Sequence, residues 1–278
     1  MSTPGIEPPK VQVFATVGQA FRFVWAERND FMTFALVPIL VLAIVVTAVS
    51  GAIPDDPSAL GVRGSAGLAL FAMVNVVALT YFGVAWHRRY LVPQERATAR
   101  DALRWQPRHW RFLWITIVLS IGSGFAIILG SVPTLALSPA GTALGTLAVL
   151  IGVALAAARW LVLLPAATID DFMTFRAGWA LGRGNSWRLL NLLILATLPV
   201  FVADVGIRAL LSLVFGEAPG LLGRFVGAFV FEMAGFAGAA IGISALSSAY
   251  LQLLQGRRQM PVYLPAATEA EEEDQDET

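Results

Sequence analysis

The sequence predicts an all-α, polytopic integral membrane protein. Six transmembrane helices form a single domain, joined on one side of the bilayer by three amphipathic interfacial helices. Three observations predict it. Six apolar stretches are each long enough to cross hydrocarbon. The charged residues, only 14% of the 278 against roughly 25% in soluble domains, are gathered between those stretches. Basic residues, finally, fall almost wholly in alternate connections. With 57% hydrophobic residues and a mean hydropathy of +0.70, the chain has too little polar surface to face water all round.

At 1.5 Å of rise per residue, about 20 apolar residues cross the bilayer core. Residues 31–53, 66–86, 112–137, 142–164, 189–215 and 225–251 meet that length. Each is expected to be a helix, because backbone amides in hydrocarbon must be satisfied within the segment. The third stretch holds Gly122, Gly124, Gly130 and Pro133, which predicts a kink. Small residues four apart, at Gly141 and Gly145, Gly223 and Gly227, and Gly238 and Gly242, predict close helix contacts.

Orientation follows from the basic residues. Lys10, Arg22 and Arg28 precede the first span; Arg88, Arg89, Arg96, Arg100, Arg104, Arg108 and Arg111 fill the second loop. Arg176, Arg183 and Arg188 lie in the fourth loop, with Arg257 and Arg258 after the last span. The other connections hold only Arg63 and Arg224. Both termini are therefore expected in the cytoplasm, with the chain as a multi-pass protein of a bacterial inner membrane. No cleaved signal peptide is expected, since the first apolar run starts behind Glu7, Glu27 and Asp30.

The positively charged side is expected to be structured. Residues 1–10 form a tail, and residues 11–28 place Phe14, Val17, Phe21 and Val24 on one face of an in-plane helix, opposite Gln12, Gln19 and Arg22. Arg96, Arg100 and Arg104 recur every four residues before Pro107, making a basic face. Phe172, Phe175 and Trp179 make an apolar stripe in the fourth loop. The membrane domain is bounded at residue 256; beyond it, residues 257–278 end in an acidic run too polar to fold.

A threefold repeat of interfacial helix plus hairpin is suggested by His109-Trp110-Arg111-Phe112-Leu113 against Ser186-Trp187-Arg188-Leu189-Leu190, with Arg28-Asn29-Asp30-Phe31 in the same place before the first span. The even spans echo each other too, Ala85-Trp86-His87 through Pro93 falling over Ala157-Ala158-Arg159 through Pro165.

Few residues offer chemistry. Without Cys there is no disulfide, thiol catalysis or thiolate metal site. His87 and His109 lack ligand spacing, and no phosphate loop, zinc-protease helix or nucleophile elbow is present. Neither an enzyme, nor a cofactor, nor a nucleic-acid partner is expected. Asp170-Asp171 has the look of a carboxylate pair for magnesium diphosphate, but the further Asp of such motifs is missing, and the pair equally suits a helix start.

Four ionisable residues lie within predicted spans: Arg159, Asp204, Arg208 and Glu232. Each must meet a partner or water, because a charge at the bilayer centre costs roughly 2.5 kcal/mol or more. Depth matching pairs Arg159 with Asp204 and Arg208 with Glu232. Such a chain of pairs serves either as a polar pathway for an ion, a proton or an anionic headgroup, or as a buried network that fixes helix register. Arg96, Arg100, Arg104, Arg108 and Arg111 either contact anionic phospholipid, at about 1 kcal/mol per Arg, or only set topology. Trp105, Trp110 and Trp187 are expected as interfacial anchors.

Ala158-Arg159-Trp160-Leu161 through Pro165-Ala166-Ala167, then Trp179-Ala180-Leu181-Gly182-Arg183-Gly184-Asn185 and Trp187-Arg188-Leu189-Leu190, together with Trp86-His87-Arg88, carry a family likeness. In them the chain resembles the bacterial six-helix membrane proteins related to the membrane domain of glycerophosphoryl diester phosphodiesterases. The catalytic domain of that enzyme is not in this sequence, so the resemblance implies a standalone membrane module and no hydrolase activity. Two functions follow as expectations. One is a non-enzymatic module that organises lipid or a membrane protein partner; the other is a small transporter or channel using the charges of spans four to six.

Overall fold

The computed structural model describes residues 10–50, 61–94, 104–216 and 220–258. Of these, 88% are helical and none lies in a strand. The elements are α1 (Val13–Ala26), α2 (Arg28–Val49), α3 (Val62–Leu91), α4 (Pro107–Ser131), a 3-10 turn (Val132–Ala136), α5 (Pro139–Trp160), α6 (Leu163–Thr168), α7 (Phe175–Leu181), α8 (Ser186–Phe215) and α9 (Leu221–Arg258). Six helical stretches, namely α2, α3, α4 with its 3-10 turn, α5 with α6, α8, and α9 through Gly256, are long and apolar enough to cross a membrane. This is a multi-pass membrane architecture.

Local chemistry sets the ends of the elements. The kink expected in the third span falls where α4 tightens into the 3-10 turn that carries Pro133. Ser138 then caps α5, its side chain accepting from the Gly141 amide, with Pro139 at the first helical position. Thr174 caps α7 in the same way through the Ala177 amide. Gly216 closes α8 at φ +73°, a backbone that a side chain disfavours. Pro38 in α2 and Pro199 in α8 interrupt the helical hydrogen bonding inside spans, where neighbouring helices make such breaks tolerable.

The core sits around α9. One apolar cluster joins α9 to α1, α5, α6, α7 and α8 through residues such as Ala20, Ala158, Leu192, Ala245 and Leu253. A second joins α9 to α2 and α3 through Phe34, Ile39, Phe82, Trp86 and Phe236. Within it Trp86 stacks on Phe82 at 5.8 Å and meets Phe31 and Phe34 edge-on. Its indole Nε1 donates to the Ala240 carbonyl and to Ser244 Oγ, both at 2.9 Å. One residue on, His87 Nδ1 meets Ser247 Oγ at 2.7 Å. The spacing Ala240, Ser244, Ser247 keeps these partners on one face of α9.

Small residues act where expected along α9 and at the α4–α5 hairpin. A Cβ on Gly238 would lie 3.4 Å from Val200, and one on Gly145 would strike Thr134 at 2.6 Å. A Cβ on Gly227 would meet nothing within 4 Å, so that glycine belongs to an open space rather than to a helix contact.

The three connecting helices have mixed outcomes. The first expectation, 11–28, contains α1, which lies against α8 and α9. Val17, Phe21 and Val24 of its expected apolar face pack against the core, while Phe14, Gln12, Gln19 and Arg22 are exposed. Gln252 Nε2 donates to the buried Thr16 Oγ1 at 2.8 Å, and Ser248 Oγ donates to Gln19 Oε1 at 3.3 Å. The basic helix through Arg96 and Arg100 falls outside the described residues. Between α6 and α8 only the seven residues of α7 are helical, and Phe172 precedes them. Gly178 and Leu181 face inward in α7, whereas Phe175 and Trp179 are partly exposed.

Replacing Trp86 tests this core. Trp86→Ala is expected to lower stability by about 3–5 kcal/mol, and Trp86→Phe by about 1 kcal/mol through the lost indole bonds. Denaturant unfolding of the purified protein in detergent, followed by circular dichroism, measures both.

Candidate functional site

The end of the bundle that carries the described termini holds the densest charge. It is built where α3 stops and α4 starts, with the turn after α6 between them. Arg88 and Arg89 are consecutive and diverge. Arg89 Nη2 binds Glu27 at 2.6 Å and its Nε binds Asp30 at 2.5 Å, fastening the junction of α1 and α2. Arg88 Nη1 instead donates to the Thr168 carbonyl at 2.9 Å, at the last residue of α6.

Two residues beyond, Asp170 has φ +59°, making it the sole non-glycine residue at positive φ among those described. This left-handed position reverses the chain and sets the carboxylate against α4. Arg108 Nη1 lies 3.6 Å and Arg111 Nη1 3.7 Å from it. Both distances are within ion-pair range but too long for hydrogen bonds. The two Nη1 atoms are buried and have no hydrogen-bond partner among the described residues. The Arg111 guanidinium also covers the Phe172 ring at 3.9 Å.

Asp171 does not join this group. Its carboxylate accepts the Tyr250 hydroxyl from α9 at 2.7 Å, and its amide donates to the Ala166 carbonyl. The two adjacent carboxylates therefore serve different partners, and among the described residues no group of three or more His, Cys, Asp and Glu gathers to hold a metal. Arg108 and Arg111 thus share the one carboxylate of Asp170, with Arg88 bound two residues away at the Thr168 carbonyl.

The start of α4 is held in place by its own cap. The Gln106 amide donates to His109 Nδ1 at 3.0 Å, and the Gln106 side chain accepts from the first turn. Trp105 stacks on His109 at 5.3 Å and meets Trp110 edge-on at 5.0 Å. Arg104, just before the helix, is exposed, as are Trp110 and Trp187. Arg96 and Arg100 lie outside the described residues.

The intramembrane pairs expected by depth are not formed. Arg159 sits one residue from the end of α5 and donates to Ser186 Oγ, at the first residue of α8, while covering Trp179 at 4.3 Å. Asp204 lies 18 residues further along α8, about 27 Å away at helical rise, beyond any side chain's reach. Arg208 pairs with Asp204 on its own helix at 2.8 Å and covers Phe231 at 4.0 Å. The short i,i+4 geometry prevails over the cross-helix pairing. Glu232 is 4% exposed, and its Oε1 has no hydrogen-bond partner among the described residues. It shares a face of α9 with buried Ala228 and Phe236, one turn to either side.

Sequence reasoning overlooked Arg88 as a site residue and did not foresee that Asp170 would face the guanidinium groups. The dipeptide Arg88-Arg89 was visible, but its divergence depends on α6 returning beneath α3. No protein-family model, curated protein or solved structure matches this chain.

The Tyr250–Asp171 bond ties the site to α9. Tyr250→Phe is expected to cost about 1.5–3 kcal/mol, the value of a hydrogen bond to a charged group. Its thermal unfolding midpoint in detergent, compared with that of the native chain, reports the loss.

Proposed function

We propose that this protein is a non-enzymatic module of a bacterial inner membrane that binds and organises anionic phospholipid, with its termini on the cytoplasmic side. The observation that carries the reading is the pairing of both Arg108 and Arg111 with the single carboxylate of Asp170, their two buried Nη1 donors having no hydrogen-bond partner among the described residues. A phosphate oxygen supplies the acceptor those donors lack, and guanidinium groups suit phosphate through charge and planar geometry.

Position supports the same reading. Phe14, Trp25, Trp110, Phe172 and Trp187 are exposed around this end, the distribution of an aromatic belt at the headgroup level. In this reading α1 lies in the interface plane and the interfacial-helix-plus-hairpin unit is used three times. The resemblance to the phosphodiesterase-associated membrane domain fits a module that presents lipid, or a membrane protein partner, to an activity carried elsewhere.

Arg108→Gln with Arg111→Gln is expected to reduce copurifying anionic lipid about tenfold or more, at about 1 kcal/mol per Arg. Asp170→Asn, which removes the competing carboxylate, is expected to raise it. Quantitative lipid mass spectrometry of protein purified in mild detergent reads both, and equal retention of zwitterionic and anionic lipid by all forms defeats the reading.

A second reading rests on Glu232, a buried carboxylate within a span without a hydrogen-bond partner at Oε1. Such a group suits a transporter or channel that carries an ion or proton past it. Here Glu232→Ala and Arg208→Ala are expected to abolish solute flux into liposomes while the fold persists. Undiminished flux in the folded double variant removes this alternative.

A further inference from the structure

A cavity of about 420 Å³ opens where the end of α5 meets α7 and the start of α8. Arg159 lines it together with Trp179, Ser186 and Trp187. Three contacts fix the walls. Trp160 Nε1 donates to the Phe175 carbonyl at 3.2 Å and its ring meets that of Trp179 at 4.9 Å, so α7 is pinned beside α5. Gly182 sits directly on the Arg159 backbone, where a Cβ would come within 3.0 Å of the Arg159 Cα. The Arg159 Nε donates to Ser186 Oγ, which joins α5 to α8.

The charge of Arg159 is uncompensated. Arg89, Arg108, Arg111 and Arg208 each have a carboxylate within ion-pair range. Among the described residues Arg159 has none, and its partners are a neutral hydroxyl and the face of Trp179. Its two terminal nitrogens donate to nothing there, and the Ser186 hydroxyl, as the acceptor of that bond, keeps its own proton for another partner. The neighbouring sequence offers no counter-charge. Neither α5 nor the stretch from 172 to 203 contains Asp or Glu, while that stretch adds Arg176, Arg183 and Arg188. Arg188 is bound to the neutral Val11 carbonyl, and Arg176 and Arg183 are exposed. A half-buried guanidinium at the edge of hydrocarbon requires an anion or water beside it.

The cavity also reaches into the span. Ala156, Leu155 and Gly152 continue its wall along α5, and the seven residues from Arg159 to Gly152 cover about 10 Å at helical rise. A Cβ on Gly152 would meet nothing within 4 Å, so this stretch is an open apolar trough. At the mouth Trp187 is exposed, as suits a ring at the headgroup level. We infer that this cleft holds an anionic phospholipid, with its phosphate on Arg159 and Ser186 and one acyl chain along Ala156 and Gly152. The trough favours a lipid over a soluble anion, which would engage the guanidinium alone. The site shares no residue with the Arg108–Arg111 pair at Asp170 and stands or falls separately from it.

The test uses the full chain carrying Arg108→Gln and Arg111→Gln, so that the site at Asp170 is weakened. Native mass spectrometry in detergent counts the molecules retained from dioleoyl phosphatidylglycerol or dioleoyl phosphatidylcholine, with inorganic phosphate as competitor. Phosphatidylglycerol is expected to remain bound, more tightly than phosphatidylcholine, and inorganic phosphate not to displace it. Arg159→Gln is expected to weaken phosphatidylglycerol about fivefold and to leave phosphatidylcholine unchanged. Gly152→Phe, which fills the trough and leaves Arg159 in place, is expected to weaken phosphatidylglycerol as well.

Displacement by inorganic phosphate at matched concentration overturns the lipid assignment in favour of a soluble anion. Undiminished retention of phosphatidylglycerol in Arg159→Gln overturns the site and leaves the reading at Asp170 intact, as does a starting chain that retains no phosphatidylglycerol at all. Should any arginine variant fail to fold, as judged by circular dichroism and gel filtration, Gly152→Phe in the native chain decides alone, and unchanged retention there overturns the site.

Discussion

Hydrocarbon gives apolar helices no reason to prefer one another over lipid tails, so a bundle within it relies on close packing and on polar bonds between helices. In this protein α9 supplies both. Its Ala240, Ser244, Ser247 face receives the Trp86 indole and the His87 ring from α3, while Gly238 brings it against Val200 of α8. Further along, Ser248 and Gln252 bond to α1 and Tyr250 bonds to Asp171. Both apolar clusters draw on this helix, and Val24 of α1 packs against each of them. The same helix ties the charged end together: α1 and the turn after α6 bond to Ser248, Tyr250 and Gln252, and α3 bonds to the face just before them.

How much of this was readable beforehand depended on whether the signal was local. Span positions follow from apolar run length, a property of neighbours in sequence, and the observed helices overlap all six. The break near Pro133 and the close approach at Gly238 were likewise evident from residue type and spacing. The charge pairing was not. Assigning Arg159 to mid-depth assumed that the fourth span continued unbroken to Leu164, whereas α5 ends at Trp160 and a short second helix follows. That four-residue difference puts Arg159 in the last turn of α5, where it meets Ser186 and Trp179.

The same limit applies to the arginine cluster. Arg108 and Arg111 were singled out by charge density, which is a compositional signal. The role of Asp170 depends on a left-handed backbone that no residue-type rule assigns to an aspartate with certainty, although Asp tolerates it better than most. Arg88 was hidden in a run of basic residues whose individual directions are set only by tertiary packing. On α1 the stripe of Val17, Phe21 and Val24 packs inward as its spacing suggests, whereas the outward turn of Phe14 and the bond from Gln252 to buried Thr16 depend on where α9 lies.

Arg88 and Arg89 carry a mechanical consequence. Successive helical residues point about 100° apart, and here one guanidinium grips the turn leading to Asp170 while its neighbour grips the elbow between α1 and α2. The end of α3 is thus a crossbar bolted at both tips. Rotation of this last turn would strain both attachments at once, so the turn before Asp170 and the elbow between α1 and α2 are coupled through two consecutive residues.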